Sequence, residues 1–198
     1  MIVVPKILLF AGSIRTGAYS GKVADAAQKE LVSQGADVTR ISLADYPLPI
    51  MDQDLEREKG IPENALKLAR LIAAQDAVLI CTPEHNGSMP ALLKNTIDWV
   101  SRIHRDNGKP LNPYAGRVAG ICSSSEGQYA GIRSANHLRA VLVRVGMEVI
   151  SPEVSVPHGG EAFDEDGNFK EERLRKGMTR VCRTLIEHAR LLSTRAEA

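Results

Sequence analysis

The chain has 198 residues and an almost neutral charge, with 25 Lys and Arg residues against 24 Asp and Glu residues. This length suits one domain with a sizeable core, which we expect to span residues 1–198. The sequence has no basic block, which argues against a nucleic-acid partner, and no apolar run long enough to cross a bilayer.

The cysteines and the N-terminal residues bear on the cellular compartment. Cys81, Cys122 and Cys182 are odd in number and widely spaced, which indicates reduced structural thiols rather than disulfides. The first residues have no basic flank, long apolar core or small-residue cleavage site, so no signal peptide is expected. We therefore expect a cytoplasmic protein without membrane contact.

The first half of the chain predicts three strands with helices between them. Residues 6–11 are an apolar run typical of a central strand, and residues 20–33 carry apolar side chains at helical spacing. Residues 38–43 alternate apolar and polar as in an edge strand, and a long loop then runs to Pro62, where a second helix begins. Residues 77–81 are an unbroken apolar run, typical of a parallel strand covered on both faces.

The second half of the chain predicts two more strands. After the strand at residues 77–81, Ser88 is expected to be the N-cap of a third helix that has Pro90 in its first turn and ends near Ile103. The remaining predicted elements are, in order, a fourth strand at residues 117–123, a helix ended by Gly146, a fifth strand at residues 147–150, an irregular segment at residues 152–167 and a last helix from about Lys170.

Five strands that alternate with helices predict an α/β fold with a doubly wound parallel sheet. Because the second strand has an edge pattern, right-handed crossovers favour the strand order 2-1-3-4-5 with helices on both faces. In that order the chain reverses its direction of winding between strands one and three, and ligands bind at such a switch point. The loops there, residues 12–20 and 83–88, are the two richest in ligand-type residues.

The loop after the first strand has the chemistry of a phosphate site. Residues 12–20 supply hydroxyls, backbone amides at a helix start and the guanidinium of Arg15, a set that suits a phosphate monoester. A plain glycine turn with a capping serine is the alternative. The loop is not a P-loop, and it lacks the Gly-x-Gly-x-x-Gly fingerprint of dinucleotide sites.

Two further loops have the groups that a flat heterocycle needs. Residues 83–88 and 125–128 offer edge donors and acceptors, and their glycines permit close approach of the backbone to a ring. Taken singly, Glu84 and His85 have ordinary alternatives, namely a solvated carboxylate and an exposed imidazole.

Other kinds of site are not supported. The sequence shows no Ser/His/Asp arrangement around a nucleophile turn and no Cys or His pair at zinc spacing. Residues 164–168 resemble a calcium loop only superficially, because the glycine is at position four rather than six and no bidentate glutamate stands at position twelve, so a turn is expected there.

Three motifs resemble the NADPH-dependent FMN reductases, a family with a flavodoxin-like fold that includes quinone, chromate and azo-dye reductases. Residues 12–15 resemble its Gly-Ser-x-Arg phosphate loop. Residues 83–99 are similar to its long signature, Pro-Glu-Tyr-Asn followed by Ser, Pro and Leu-Lys-Asn-x-Ile-Asp-Trp. Residues 125–127, with residues 137–139 downstream, resemble its third flavin loop and the helix after it.

The chain departs from the family pattern inside these motifs. His85 stands where tyrosine is usual, and Glu126 replaces a common proline. Ala18 and Ser20 replace the usual serine and asparagine of the phosphate loop. Since Ala18 removes a hydroxyl from the phosphate, we expect weaker flavin binding than in the family, with partial compensation by Ser20.

The resemblance implies an FMN-dependent NAD(P)H oxidoreductase with a flavodoxin-like sheet. FMN would bind noncovalently, with its phosphate on Ser13, Arg15 and Ser20 and its ring between the loops at residues 83–88 and 125–128. NADPH or NADH would donate hydride, and the acceptor would be a small molecule such as a quinone, an azo compound, a metal oxyanion or free flavin. The flavin would carry the chemistry, so no catalytic side chain is predicted. The predicted cofactor-binding residues are Ser13, Arg15, Ser20, Pro83, Glu84, His85, Asn86, Gly87, Ser88, Ser125, Gly127 and Gln128.

Relatives in this family form dimers or tetramers, which implies a homodimer or homotetramer here. The loop at residues 46–54 and the helix that bears Asp98 and Trp99 are the predicted interface, with a lid and a core helix as the respective alternatives. Two other classes stay open. A flavodoxin-like electron carrier should be strongly acidic, unlike this chain, and a nonenzymatic FMN-binding module would not oxidise NAD(P)H.

Overall fold

Five strands form one parallel sheet in the computed structural model, which describes residues 4–196. The strands are β1 Lys6–Ala11, β2 Asp37–Arg40, β3 Ala77–Pro83, β4 Val118–Ser124 and β5 Glu148–Val156. They lie in the order β2-β1-β3-β4-β5, and each neighbouring pair is parallel. The predicted strand order is therefore confirmed.

The helices that connect these strands lie on both faces of the sheet. They are α1 Tyr19–Ser33, α2 Gln53–Lys59, α3 Glu63–Ala73, α4 Ala91–Ser101, α5 Ile132–Arg144 and α6 Glu172–Ala196. Successive strand residues point to opposite faces, so Leu9 packs with α1 and α6 whereas Leu8 packs with α3, α4 and α5. No helix within the described residues is long and apolar enough to cross a membrane.

β5 is longer than predicted and contains a bulge. The predicted strand ends at Ile150, with irregular structure from Pro152, but the strand continues to Val156. Its register against β4 shifts between Ala119 and Ile121, so β5 places extra residues opposite this point. Pro152 is tolerated at the bulge because its missing N–H interrupts no regular ladder of hydrogen bonds between the strands.

Arg139 of α5 supports this bulge. Its Nη1 donates to the carbonyl oxygen of Ile150 at 2.8 Å, and its Nη2 donates to Glu153 Oε2 at 3.0 Å. A bulge withdraws backbone groups from the ladder, and these groups need other partners when they are buried. The guanidinium supplies one such partner.

The long loop predicted before Pro62 contains a short helix, α2, that was not predicted. The carboxylate of Asp52 caps this helix by accepting a hydrogen bond from the Asp54 N–H at 2.8 Å.

Earlier in the loop, the carbonyl oxygen of Pro49 accepts a hydrogen bond from Trp99 Nε1 at 2.8 Å, and the Trp99 side chain is fully buried. Trp99 is therefore a core residue of α4, as the alternative interpretation held.

Other differences at element boundaries have local causes. β2 ends at Arg40 rather than Leu43, because Ser42 accepts a hydrogen bond from the Ala44 N–H and starts a 3-10 turn over Leu43–Asp45. α4 ends slightly before its predicted end, and α6 begins slightly after its predicted start.

A small antiparallel hairpin after α4 was not predicted. It pairs Arg105–Asp106 with Lys109–Pro110, and strands this short carry no periodicity in the sequence. The turn predicted at residues 164–168, in contrast, is present. Asp164 Oδ1 accepts hydrogen bonds from the backbone N–H groups of Asp166 and Asn168. Backbone hydrogen bonds from these two residues lower the pKa of Asp164.

Candidate active site

A polar cleft lies where the carboxyl ends of β1, β3 and β4 meet. It has a volume of about 160 Å³, and the loops after all three strands contribute to it. Its lining residues are Ser13, Arg15, Ala18, Tyr19, Ser20, Pro83, Glu84, His85, Ser124, Ser125 and Glu126. The two loops expected to meet at the switch point of the sheet therefore do meet there, together with the loop after β4.

The first loop places the start of α1 against the cleft. The N–H of Gly12 donates to the carbonyl oxygen of Cys81 at 2.8 Å, which extends the pairing of β1 with β3. Ala18 is the N-cap residue and has no side-chain capping bond, so the first N–H groups of α1 keep their donor capacity. Ser20 is buried, and its hydroxyl has no hydrogen-bond partner among the described residues.

The second loop is a tight turn after β3. His85 and Ser88 exchange two backbone hydrogen bonds of 2.9 and 3.0 Å, and the two residues between them have positive φ, 50° at Asn86 and 78° at Gly87. The prediction that Ser88 caps α4 is wrong, because Pro90 is the N-cap residue. Ser88 Oγ is instead hydrogen-bonded to Nδ1 of His137 in α5 at 3.0 Å.

Glu84 is held by α5 rather than solvated, so that alternative interpretation is wrong. Its side chain is only 9% exposed. Its Oε1 accepts from Arg133 Nε at 2.9 Å and lies 2.6 Å from Arg133 Nη2, while Oε2 accepts from the Arg133 backbone N–H at 3.2 Å. The positive charge of Arg133 thus offsets the negative charge that Glu84 presents to the cleft.

The end of β4 and the loop after it bring a second unpartnered hydroxyl to the cleft. Ser124 is buried, and its Oγ has no hydrogen-bond partner among the described residues. The next residue, Ser125, donates through Oγ to the carbonyl oxygen of Gly127 at 2.9 Å. Ser125 also accepts a backbone hydrogen bond of 3.0 Å from Gly159, which brings the segment after β5 over this loop.

Tyr19 closes one side of the cleft. Its hydroxyl is hydrogen-bonded to Glu126, and that contact together with the negative charge of the carboxylate raises the pKa of Tyr19. Gly159 lies against the tyrosine ring, since a Cβ atom at this glycine would stand 2.5 Å from Tyr19 Cγ. Only glycine allows the segment after β5 to approach Tyr19 this closely.

The structure brings together some of the predicted site residues but not all of them. Those that line the cleft are Ser13, Arg15, Ser20, Pro83, Glu84, His85 and Ser125. Those that lie in the same loops but outside the lining are Asn86, Gly87, Ser88, Gly127 and Gln128. Their roles in binding stay predictions. Residues that shape the cleft and were missed are Tyr19, Arg133, His137 and Gly159.

The donors of the cleft fit the phosphate end of FMN. The buried hydroxyls of Ser20 and Ser124 have no hydrogen-bond partner within residues 4–196, and a buried polar group without a partner is costly. The uncapped start of α1 attracts anions, and the guanidinium of Arg15 adds a positive charge with a geometry that matches phosphate oxygens. A phosphorylated ligand would satisfy these groups together.

Fold and cleft together define the class of the protein, a doubly wound α/β protein with a mononucleotide-type cleft at its topological switch point. Comparison with known sequences then gives the family. Residues 5–161 match the sequence model of the NADPH-dependent FMN reductases. An NAD(P)H-dependent FMN reductase of Pseudomonas aeruginosa is 34% identical over 173 residues, which cover 86% of this chain and 88% of that protein.

Two further relatives agree. A quinone reductase of Escherichia coli is 39% identical over 139 residues, which cover 70% of this chain and 69% of the relative. The structure of FerB, a flavoenzyme NAD(P)H:(acceptor) oxidoreductase from Paracoccus denitrificans, superposes with a TM-score of 0.78 at 27% identity, covering 94% of this chain and 97% of FerB. The chain belongs to the NADPH-dependent FMN reductase family. The predicted family, fold, enzyme class and redox partners, FMN and NAD(P)H, are confirmed.

Proposed function

We propose that this chain is a quinone reductase that uses NAD(P)H as electron donor and noncovalently bound FMN as cofactor. Family membership supports the cofactor and the donor. The choice of a quinone among the predicted acceptors is supported by the relative from Escherichia coli, whose name states that activity. When bound, FMN supplies the redox chemistry, because it can take up a hydride from NAD(P)H and reduce an acceptor.

Ser13, Arg15 and Ser20 are proposed to hold the phosphate of FMN. The observation that carries this proposal is the buried, unpartnered hydroxyl of Ser20 in the first turn of α1, where it faces the cleft. Arg15 is exposed in the loop before α1. Its charge stays available, because its side chain contacts only the carbonyl oxygen of Thr16, through a long 3.4 Å hydrogen bond, and the ring of Tyr19 among the described residues. These groups stabilise a dianion through charge and hydrogen bonds.

The turn after β3 is proposed to position the isoalloxazine ring together with Ser125, Gly127 and Gln128. The backbone N–H groups of Asn86 and Gly87 have no backbone acceptor among the described residues, so they can donate to the edge of a ring. Arg133 and His137 hold this turn from α5. The side chains of this turn orient the ring and exclude water from it, and none of them needs to act as a nucleophile.

The proposal also covers the domain organisation of the chain, its assembly and its location in the cell. We infer a single domain at residues 1–198 that forms a homodimer or homotetramer and works in the cytoplasm. The location is supported by three free cysteines, Cys81, Cys122 and Cys182, all of them buried and reduced. In α4 the exposed residues, rather than the buried Trp99, are available for contact with a second copy.

The function is tested on the purified protein with added FMN. We expect a yellow complex with flavin absorption and consumption of NADPH that accelerates when a benzoquinone is added. Arg15→Ala should weaken FMN binding at least ten-fold while the far-UV circular dichroism spectrum is unchanged. Arg183→Ala is the matched control, because Arg183 is an exposed arginine on α6. A protein that neither binds FMN nor oxidises NADPH would refute the proposal.

A further inference from the structure

A second polar pocket adjoins the cleft along the loop at residues 12–18. This outer pocket has a volume of about 160 Å³ and is formed by that loop, the first turns of α1 and the residues that follow β2. It shares Ser13, Arg15 and Ala18 with the wall of the cleft. The outer pocket therefore adjoins the proposed phosphate site of FMN and shares Ser13 and Arg15 with it, whereas Arg40, Lys22 and Ser42 line the outer pocket alone.

Arg40 presents an unused donor in the outer pocket. Its Nη1 is buried and has no hydrogen-bond partner among the described residues. The guanidinium makes one ion pair in this part of the chain, a long contact of 3.3 Å from Nη2 to Oδ1 of Asp25, whose side chain is 66% exposed. Since a guanidinium has five N–H donors and a buried donor without an acceptor is costly, an external acceptor would stabilise this arrangement.

Lys22 and Ser42 add donors around Arg40. Lys22 lines the pocket from α1, and its ammonium group forms no ion pair with any residue that the structure describes. Ser42 Oγ accepts a hydrogen bond from the Ala44 N–H at 3.2 Å, which leaves its own O–H available as a donor. With Arg15 on the shared wall, the cations outnumber the single carboxylate of Asp25.

We propose that the outer pocket binds a phosphomonoester dianion and that its occupant is the 2′-phosphate of NADPH. A phosphomonoester carries about −1.5 to −2 charges at neutral pH, and Arg40 and Lys22 leave an excess of positive charge over Asp25 that attracts it even when Arg15 serves FMN. Arginine donors match phosphate oxygens in geometry, and such charged hydrogen bonds are strong. This inference rests on the proposed function, because it takes NADPH as a substrate.

The outer pocket is then the site that distinguishes NADPH from NADH. The two donors differ only in the 2′-phosphate, so a pocket for this group favours NADPH without any change at the flavin. Inorganic phosphate has the same chemistry and is the other source of such an anion. The experiment therefore separates a nucleotide phosphate from a free one.

The test uses Arg40→Gln and Lys22→Gln in the FMN-loaded protein. Lys22 is exposed and packs into no core, so its replacement leaves the fold intact even where Arg40→Gln does not. Lys109→Gln, an exposed lysine in the hairpin after α4, is the matched control. We expect the ratio of kcat/KM for NADPH to kcat/KM for NADH to fall about ten-fold in Arg40→Gln, which corresponds to the loss of one charged hydrogen bond.

Calorimetry supplies a readout independent of turnover. Adenosine 2′,5′-bisphosphate should bind more tightly than adenosine 5′-monophosphate, and each variant should remove this difference. If the variants still reduce the quinone but both keep the wild-type ratio of kcat/KM for NADPH to kcat/KM for NADH, the inference is overturned. Inorganic phosphate that bound as tightly as the bisphosphate would also overturn it. A wild-type protein that oxidised neither NADPH nor NADH would instead refute the proposed function. In that case, binding of adenosine 2′,5′-bisphosphate that Arg40→Gln weakens would still support the pocket.

Discussion

Glu84 and Arg133 form an ion pair that joins the loop after β3 to the start of α5. The carboxylate is nearly buried and meets both the guanidinium and the backbone N–H of Arg133, a residue 49 positions later in the chain. The guanidinium also lies over the ring of Tyr129, with 5.0 Å between Arg133 Cζ and the ring centroid. The pair therefore fixes the turn at residues 85–88 relative to the loop after β4.

Breaking this pair should loosen the turn and weaken FMN binding. In a double-mutant cycle of Glu84→Gln and Arg133→Gln, we expect a coupling free energy of about 1 kcal/mol, since the half-exposed arginine limits the strength of the interaction. Urea unfolding of the four proteins measures it. FMN titration should show about five-fold weaker binding in Arg133→Gln, in line with that free energy.

Arg133→Lys is the control for this cycle. It keeps the positive charge but loses the forked donors of the guanidinium, so its stability and FMN affinity should be intermediate. A coupling free energy near zero would mean that the two residues do not act as a pair.

Ser20→Ala should have opposite effects on stability and on binding. The hydroxyl of Ser20 is buried without a partner, so its removal should stabilise the FMN-free protein by about 1 kcal/mol. The same change should weaken FMN binding about ten-fold, because a charged hydrogen bond is lost. Thermal unfolding without FMN and fluorescence titration with FMN measure the two effects.

Ser134→Ala is the matched control for Ser20→Ala. Ser134 is also a fully buried helical serine, but its Oγ is hydrogen-bonded to Thr82 Oγ1 at 2.9 Å. Its removal should therefore destabilise the protein by about 1 kcal/mol. If Ser20→Ala destabilised the FMN-free protein equally, its hydroxyl would have a partner in solution, contrary to the structure.

Two glycines near the cleft should respond differently to replacement by alanine. Gly131 has a φ of 79°, and a Cβ there would stand 3.0 Å from the carbonyl oxygen of Ser124, so Gly131→Ala should destabilise the protein by about 2 kcal/mol or more. Gly127 has open space around it, so Gly127→Ala should leave the melting temperature unchanged and lower only the affinity for FMN. A drop in melting temperature for Gly127→Ala would contradict this distinction.

The buried thiols should make the fold sensitive to alkaline pH. Burial raises the pKa of Cys182, and the contact with Cys122 together with burial raises the pKa of Cys81. In the unfolded chain these thiols ionise near pH 9. Their contribution to stability is therefore complete below pH 9 and decreases as the pH rises above it.

Urea unfolding between pH 8 and pH 10.5 measures this dependence. Cys182→Ala should lower stability at pH 8 and flatten the decrease at higher pH. Thiol titration at pH 8 should detect none of the three cysteines in the folded protein and all of them after unfolding. Reaction of a folded thiol at the rate of free cysteine would contradict the burial.

The sheet and its switch point were predictable because they depend on local patterns. The apolar runs at β1 and β3 and the helical spacing in α1 are visible in short windows, and the topology follows from connection rules. α2 was missed because it has no buried residue and hence no apolar periodicity. β5 was cut short because Pro152 and Glu153 interrupt its apolar pattern at the bulge.

The sequence allowed us to predict which loops form the cleft, but not the long-range side-chain contacts that hold those loops in place. Hydroxyls and an arginine after β1 indicate a phosphate site from composition alone. The partner of Glu84 was not predictable, because nothing in the sequence near either residue marks a contact across 49 positions. The same holds for His137 with Ser88 and for Gly159 with Tyr19, which depend on how α5 and the segment after β5 pack.

The irregular end of the sheet restricts how copies of this chain can associate. β2, at one edge, has only four residues, and β5, at the other, is interrupted by Pro152 and carries Glu148 and Glu153. Neither edge offers a long template of unpaired amides and carbonyls, the usual starting point for amyloid-like stacking. Growth of a continuous sheet from one molecule to the next is thus disfavoured, which leaves helices and loops as the surfaces for self-association.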